Sequence, residues 1–237
     1  MTPGSSTPKS RRERPAKPAL SRQGIVAEAV RIMRAEGLQR VTMRRLAKEL
    51  DTGPASLYVY VASTAELHAA ILEEFLGAVD LRPVTAEGDW RDRIASVLIS
   101  YTRVLFEHPT LARSALVARP TGANYLALVE ALLTLLDEGG VPGSQAAWGV
   151  DVLLQVATAT AAEQSTRGED TNAEDEHNAL ARTLHEVSAD THPRIAALAD
   201  DLVSGTPGQR LRWMFDMVVN GALATPRTHT SDEGAAS

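Results

Sequence analysis

The first regular pattern of apolar and polar positions predicts two short amphipathic helices. After Ser21, a good helix N-cap, the apolar residues Ile25, Ala29 and Ile32 recur at helical spacing, and Gly37 supplies a C-terminal stop. Thr42 can cap a second helix, whose apolar positions fall at i, i+3, i+4 and i+7: Met43, Leu46, Ala47 and Leu50. Each helix therefore has one apolar face that must be buried against another element.

A turn separates the second helix from a third. Residues 51–54, Asp-Thr-Gly-Pro, break the apolar pattern, and Pro54 fits the first turn of a new helix that continues to Val61. Two short helices joined by turn residues that include glycine are typical of a helix-turn-helix. Ser63 and Glu66 have the spacing of a capping box, which predicts a fourth helix with one apolar stripe: Leu67, Ala70, Ile71 and Phe75.

The rest of the chain is predicted to be helical, so the fold class is all-α. No strand-like alternation follows Pro83, and the pattern predicts helices over residues 89–107, 109–118, 124–138, 144–165, 173–189, 193–204 and 207–224. Residues 168–176 are predicted to form an acidic loop. We expect a flexible basic arm over 1–19, a helix-turn-helix domain over 20–66, a larger helical body over 67–225, and a disordered tail over 226–237.

Charge is distributed unevenly along the chain. Net charge is −6, but residues 1–50 hold 12 of the 24 Lys and Arg and 4 of the 30 Asp and Glu, so this segment is +8 and the remainder −14. A basic head on an acidic body is expected when the head binds the phosphates of a nucleic acid and the body does not. A disordered basic tail on an acidic domain would explain part of the asymmetry, but not the cations inside a helical pattern: Arg44, Arg45 and Lys48.

Several other classes of protein are disfavoured. Cysteine is absent, which excludes disulfides and thiolate metal sites, and no apolar run approaches a membrane span, so we expect a cytoplasmic protein without membrane contact. There is no nucleophile elbow, phosphate-binding loop or standard metal motif. We therefore do not expect an enzyme, and no cofactor or metal is expected. His177 and His185 near the acidic segment fit no standard ligand spacing, which favours a solvated loop over a metal site.

The third helix carries residues suited to close contact with DNA. Pro54, Ala55 and Ser56 are small enough at its leading end to approach a base edge, and the hydroxyls of Tyr58 and Tyr60 can bind phosphates. Arg44, near the start of the second helix, could read a guanine. Alternatively, the two tyrosines are half-buried packing residues and do not bind phosphate. The basic surface beside them favours phosphate binding.

The segment from Val41 to Leu67 resembles the head of the tetracycline-repressor (TetR) family, most specifically at Leu57-Tyr58-Val59-Tyr60-Val61. The resemblance covers roughly residues 21–75, and residues 210–224 resemble the last helix of one family branch. It implies an all-helical homodimer that binds a palindromic double-stranded DNA operator and releases it when a small-molecule effector enters the body. A constitutive DNA-binding dimer without an effector is the alternative.

The resemblance also implies roles for individual residues in the head. Thr42, Ser56, Tyr58 and Tyr60 fall where the family contacts phosphates or base edges, and Arg44 falls where some members read a guanine. The family usually has lysine at the position of Thr64, where its ammonium group contacts a phosphate. We expect a weaker electrostatic contact with phosphate in this chain, made by the hydroxyl and the N–H groups of the helix start. The full predicted DNA-binding set is Thr42, Arg44, Arg45, Pro54, Ala55, Ser56, Tyr58, Tyr60 and Thr64.

Two sets of candidates lie in the body. The last helix has more apolar surface than one face of a monomer needs, and the resemblance implies a dimer bundle through Trp213, Phe215, Met217, Val218 and Val219; core packing within one chain is the alternative. An effector pocket is predicted among the fifth, seventh and eighth helices, with the lining residues Tyr101, Tyr125, Trp148, Gln155 and Thr158. Each of these could instead be an ordinary packing residue.

The N-terminal arm is a further DNA-binding candidate. Arg11, Arg12 and Arg14 precede the helix-turn-helix in a Pro- and Ser-rich segment, so they could enter an adjacent minor groove or follow the phosphates. A solubilising leader is the equally favoured alternative.

Overall fold

A computed structural model describes residues 19–118, 120–169 and 172–227, and every regular element in these ranges is helical. The predicted all-α class is confirmed. Two 3-10 helices, Leu38–Arg40 and Arg82–Thr85, accompany the α-helices of the described ranges, which are α1 Arg22–Glu36, α2 Met43–Glu49, α3 Pro54–Leu57, α4 Thr64–Leu76, α5 Trp90–Phe106, α6 Pro109–Ala115, α7 Ala123–Glu138, α8 Gly143–Glu169, α9 Ala173–His185, α10 Pro193–Val203 and α11 Pro207–Ala224.

The head is a small cluster of α1, α2 and α3 around a shared apolar centre. The side chains of Ile25, Ile32, Leu46 and Leu57 are fully buried there. Ser21 accepts a hydrogen bond from the backbone N–H of Gly24 and so caps α1 as predicted. The third helix is shorter than predicted, because helical geometry ends at Leu57 and residues 58–60 form turns.

Helix α4 belongs to both the head and the body. Ser63 caps it by accepting a hydrogen bond from the N–H of Glu66. The predicted capping box would also pair the Glu66 carboxylate with the N–H of Ser63, but this carboxylate accepts from the N–H of Ala62 instead. The apolar stripe predicted for this helix is buried along its whole length. It packs on α1 of the head and on α5, α6 and α7 of the body, and the Arg34 guanidinium of α1 lies over the ring of Phe75 near the C-terminal end of α4. A displacement of α4 would therefore change the packing of both the head and the body.

The body is arranged around α8. This helix contacts α5, α6, α7 and α11, and its inward face is made of small and branched apolar residues that allow close helix packing, including Ala157, Ala161 and Leu153. None of the helices in the described ranges combines the length and apolarity required to cross a bilayer.

Several helix ends differ from those predicted. Helix α6 ends at Ala115 rather than residue 118, and α8 runs on to Glu169. Much of the predicted acidic loop is therefore helical, and Glu174, Asp175 and Glu176 form the first turn of α9. Acidic residues are favourable there because the N-terminus of a helix carries partial positive charge. Helix α9 itself ends at His185, four residues before the predicted end.

Helices α9 and α10 form a hairpin that packs mainly against itself. His185 Nε2 lies 2.8 Å from Asp200 Oδ1, and Nδ1 bonds the carbonyl of Ala181. The backbone hydrogen bond first, and then the Asp200 contact, raise the pKa of His185. The described residues contain no group of three His, Asp or Glu side chains placed to hold a metal ion.

Candidate DNA-binding surface and effector cavity

The third helix and the turn after it present one continuous exposed surface. Leu57 and Val61 are fully buried and anchor the segment, whereas every other residue from 54 to 60 faces outward. Tyr58 is 51% exposed and Tyr60 is 38% exposed, so both tyrosines are partly covered and both keep surface that is open to a partner. This surface holds five of the predicted DNA contacts: Pro54, Ala55, Ser56, Tyr58 and Tyr60.

Two of the predicted DNA contacts are threonines at helix N-termini. The Thr42 hydroxyl accepts from the N–H of Arg45 and caps α2, which leaves its proton available to a phosphate oxygen. Thr64 is exposed at the first position of α4, directly after the cap Ser63. Both hydroxyls therefore stand where unpaired backbone N–H groups of a helix start also point outward.

The adjacent arginines Arg44 and Arg45 have different surroundings. Arg45 is half-buried and lies 3.0 Å from Glu36 on α1 and 3.0 Å from Glu49 on its own helix. Arg44 is exposed and makes no ion pair within the part of the chain that the structure describes. A guanidinium already held by two carboxylates is less available to DNA than a free one.

The body contains a cavity of about 390 Å³ between α4, α5, α6, α7 and α8. Four of the five predicted effector contacts line it, namely Tyr101, Tyr125, Gln155 and Thr158, together with Leu72 and Leu76 of α4. Trp148 is not among them, because it lies nearer the start of α8 on the side that faces α11, where it is 59% exposed. The prediction placed Trp148 correctly on α8 but did not determine which side of the helix it occupies.

Four polar side chains of the cavity lining form two hydrogen-bonded pairs. Tyr101 Oη lies 2.7 Å from Thr158 Oγ1, which also lies 2.7 Å from the carbonyl oxygen of Leu154. Gln155 Nε2 donates to Asp151 Oδ2 at 2.6 Å. Burial raises the pKa of Tyr101, so its phenol stays neutral at neutral pH. Asp151 was missed by the sequence analysis; its spacing of i, i+4 and i+7 with Gln155 and Thr158 was an available signal.

A second group missed by the sequence analysis joins α4 to α7. The Glu73 carboxylate accepts from the N–H of Asn124 at 2.6 Å and from the N–H of Tyr125 at 3.2 Å, while Asn124 Nδ2 donates to the Glu73 carbonyl at 2.9 Å. A Cβ at Gly122 would overlap the Glu73 carboxyl group. We call this set of contacts, made by Glu73, Gly122, Asn124 and Tyr125, the α4–α7 clamp.

The predicted dimer residues of α11 lie on two different faces. Phe215 is only 1% exposed and Val219 is also buried, so both pack within their own chain. Trp213 is 64% exposed, Met217 is exposed and Val218 is half-buried. Trp148 and Val152 of α8 are also exposed and line one groove with Val218, and Arg227 stacks over the Trp148 ring at 4.1 Å. We call the exposed set the α8–α11 face: Trp148, Val152, Trp213 and Met217.

Arg11, Arg12 and Arg14 lie outside the described residues. Of the predicted tail, Pro226 and Arg227 are described, and both line a groove beside α8.

A helix-turn-helix head joined through one shared helix to a cavity-bearing helical body defines a one-component regulator. Family models match both parts: residues 25–71 match the bacterial regulatory proteins of the tetR family, and residues 82–207 match the tetracyclin repressor-like C-terminal domain. The chain belongs to the TetR family of transcriptional regulators, as the sequence predicted.

Solved structures of similar proteins cover nearly the whole chain. SCO7704 from Streptomyces coelicolor, proposed to be a transcription regulator, is 59% identical, covers 91% of this chain and 100% of its own, and superposes with a TM-score of 0.76. ActR from Streptomyces coelicolor, solved in complex with actinorhodin, is 33% identical, covers 87% of this chain and 97% of its own, and gives a TM-score of 0.75.

Among curated relatives, the repressor DrrR1 of Streptomyces coeruleorubidus is 31% identical over 131 residues, 55% of this chain and 48% of DrrR1. A transcriptional regulator of Saccharopolyspora erythraea is 33% identical over 124 residues, 52% of each chain. The chain thus spans about half the length of the curated relatives it matches.

Proposed function

We propose that the chain is a cytoplasmic, dimeric repressor that binds a palindromic operator and is released from it by a small molecule held in the body cavity. One observation carries this proposal: α4 is a wall of the cavity and also a support of the head. Leu72 and Leu76 of α4 line the cavity, and the same helix packs on α1 of the head, where the Arg34 guanidinium lies over the Phe75 ring. A ligand cannot press on this wall without acting on the element that positions the helix-turn-helix.

The α4–α7 clamp supports a route for that coupling. Tyr125 faces the cavity, and its backbone N–H is held by the Glu73 carboxylate of α4. A ligand that displaces Tyr125 therefore acts on α4 through Glu73 as well as through direct contact. To release DNA, the ligand must prefer the arrangement that cannot bind the operator, since equal affinity for both arrangements would shift nothing.

Relatives support the regulatory part of the proposal. ActR has been solved both without ligand and with actinorhodin, and DrrR1 is a transcriptional repressor. Their ligands and operators are properties of those proteins. For this chain, the cavity and its contact with α4 are the independent support.

Sequence reading by Arg44 is tested by substitution. Arg44→Ala is expected to weaken preference at one base pair of each half-site by about 1–3 kcal/mol, because a bidentate contact to guanine is lost. Tyr58→Phe should instead weaken all sites alike, since a phosphate contact carries no sequence information. Selection of bound fragments from random duplex DNA, followed by affinity measurements on single-base variants of the selected site, provides the test.

Arg45→Ala is the matched control for Arg44. Because Arg45 is held by Glu36 and Glu49, its loss should lower stability without changing base preference. Identical base preferences in the wild type and Arg44→Ala would remove Arg44 from the reading surface.

Effector release is tested by filling the cavity. Ala159 lies exposed at the cavity wall, so Ala159→Trp should occupy the space with little disturbance of the core. We expect small aromatic compounds that raise the melting temperature of the wild type to weaken its operator binding, and operator to weaken their binding by the same factor. The Trp variant should bind operator but lose this response, as measured by fluorescence anisotropy.

Ala127→Trp, exposed on α7 away from the cavity, is the control and should respond like the wild type. Compounds that bind the cavity but leave operator affinity unchanged would instead favour the constitutive DNA-binding dimer.

Dimerisation is proposed through the α8–α11 face. Four large apolar side chains are exposed on two helices that pack on each other, and exposed apolar surface of this kind marks interaction sites on single chains. Two copies related by a two-fold axis could bury this face against itself, which would place two heads on inverted half-sites.

A further inference from the structure

The hydroxyl of Thr158 has two oxygen neighbours, each 2.7 Å away: Tyr101 Oη and the carbonyl oxygen of Leu154. Two oxygens at this separation need a proton between them, because otherwise their lone pairs repel. The carbonyl of Leu154 has no proton to give. Thr158 therefore donates its only hydroxyl proton to Leu154, and the contact with Tyr101 must use the phenolic proton.

This assignment leaves the Tyr101 oxygen as a hydrogen-bond acceptor only. A phenol has one proton and can accept through its remaining lone pairs, so a ligand in the cavity can reach Tyr101 Oη only by donating to it. The phenol cannot be a strong, charged acceptor either, because burial raises the pKa of Tyr101 and keeps it neutral.

The second fixed polar group of the cavity has the same polarity. The carboxylate of Asp151 accepts from Gln155 Nε2 and has further lone pairs that can accept another hydrogen bond. Asp151 is exposed, whereas Tyr101 is buried beside Leu72, Leu76 and Leu154. The cavity is thus apolar around an inner acceptor and has a second acceptor, a carboxylate, toward solvent.

We propose that the effector is a neutral aromatic molecule with a phenolic hydroxyl that donates a hydrogen bond to Tyr101 Oη. This inference rests on the proposed effector role of the cavity. An ammonium group would lose its hydration next to a neutral oxygen and leucine side chains, which is costlier than burying a hydroxyl. Phenolic oxygen is a weak acceptor, which favours an acidic O–H donor over an alkyl alcohol. The apolar walls and the rings of Tyr101 and Tyr125 suit a flat ring system.

The test uses three probes with one ring system: β-naphthol, its methyl ether and naphthylmethylamine, which is cationic at neutral pH. Calorimetric titration of the full-length protein without DNA should show β-naphthol binding about 5-fold more tightly than the ether. Tyr101→Phe should bring the two affinities close to equal, mainly by weakening β-naphthol. Tyr125→Phe, which removes the other phenol of the cavity, should keep the preference.

A second variant tests the proton assignment itself. Thr158→Val removes the acceptor of the Tyr101 proton, so the phenol can now donate to an ether oxygen, and the ether should gain affinity relative to β-naphthol. A structural perturbation alone would weaken both probes together. Melting temperatures show whether each variant is folded.

The proposal is overturned if Tyr101→Phe leaves the preference for β-naphthol unchanged, if the ammonium probe binds most tightly, or if β-naphthol does not bind. Its failure is separable from failure of the proposed function, because the probe affinities are measured without operator. A cavity ligand that binds by other chemistry and still weakens operator binding would leave the regulatory proposal standing.

Discussion

The double variant Trp213→Glu/Met217→Glu is expected to weaken the proposed dimer by at least about 1000-fold and to yield a folded monomer at micromolar concentration. Burial of one large apolar side chain contributes roughly 1.5–3 kcal/mol, and two-fold symmetry counts each lost contact twice. Both side chains are exposed in the single chain, so their replacement should cost little stability of the subunit. Sedimentation velocity and circular dichroism measure the two quantities separately.

Phe215→Glu is the contrasting variant on the same helix. Phe215 is fully buried within its own chain, so a carboxylate there should unfold the subunit rather than release a folded monomer. Phe106→Glu, at an exposed site at the end of α5, serves as the control for adding charge to an apolar surface. A dimer that survives the double variant would place the interface elsewhere.

Replacing Glu73 by alanine is expected to lower the free energy of unfolding by about 2–3 kcal/mol. The carboxylate accepts hydrogen bonds from two N–H groups at the start of α7. Hydrogen bonds to a charged group contribute about 1.5–3 kcal/mol, and this stabilisation is lost when the two N–H groups are left without an acceptor. Chemical denaturation gives this free energy directly. Glu73→Gln keeps one acceptor oxygen and should be intermediate.

Two further variants separate the α4–α7 clamp from a general effect of charge. Glu74→Ala removes an exposed neighbouring carboxylate and should change stability by less than about 0.5 kcal/mol. Gly122→Ala leaves Glu73 in place but puts a methyl group where its carboxyl lies, so it should destabilise in the same direction. Equal effects of Glu73→Ala and Glu74→Ala would show that the clamp contributes no stability.

The head was predictable because its signals act over short distances in the chain. Capping by Ser21 and Thr42, the helix start at Pro54 and the apolar spacing around Leu46 each depend on residues within one or two turns. The order of helices in the body was predictable for the same reason. Their ends were less so: α8 continues beyond its predicted end, while α9 stops early.

By itself the sequence determined the all-α class, the family and the segments that carry the head and the cavity. Tertiary structure alone decided which side of each helix faces which neighbour. Helix α11 is apolar around much of its circumference, so periodicity could not tell buried Phe215 from exposed Trp213. Likewise Trp148 and Thr158 share α8 but face different partners, and the Glu73 contact joins residues 51 positions apart. Such contacts depend on the packing of helices that are distant in the chain, and the spacing of apolar residues within one helix does not predict them.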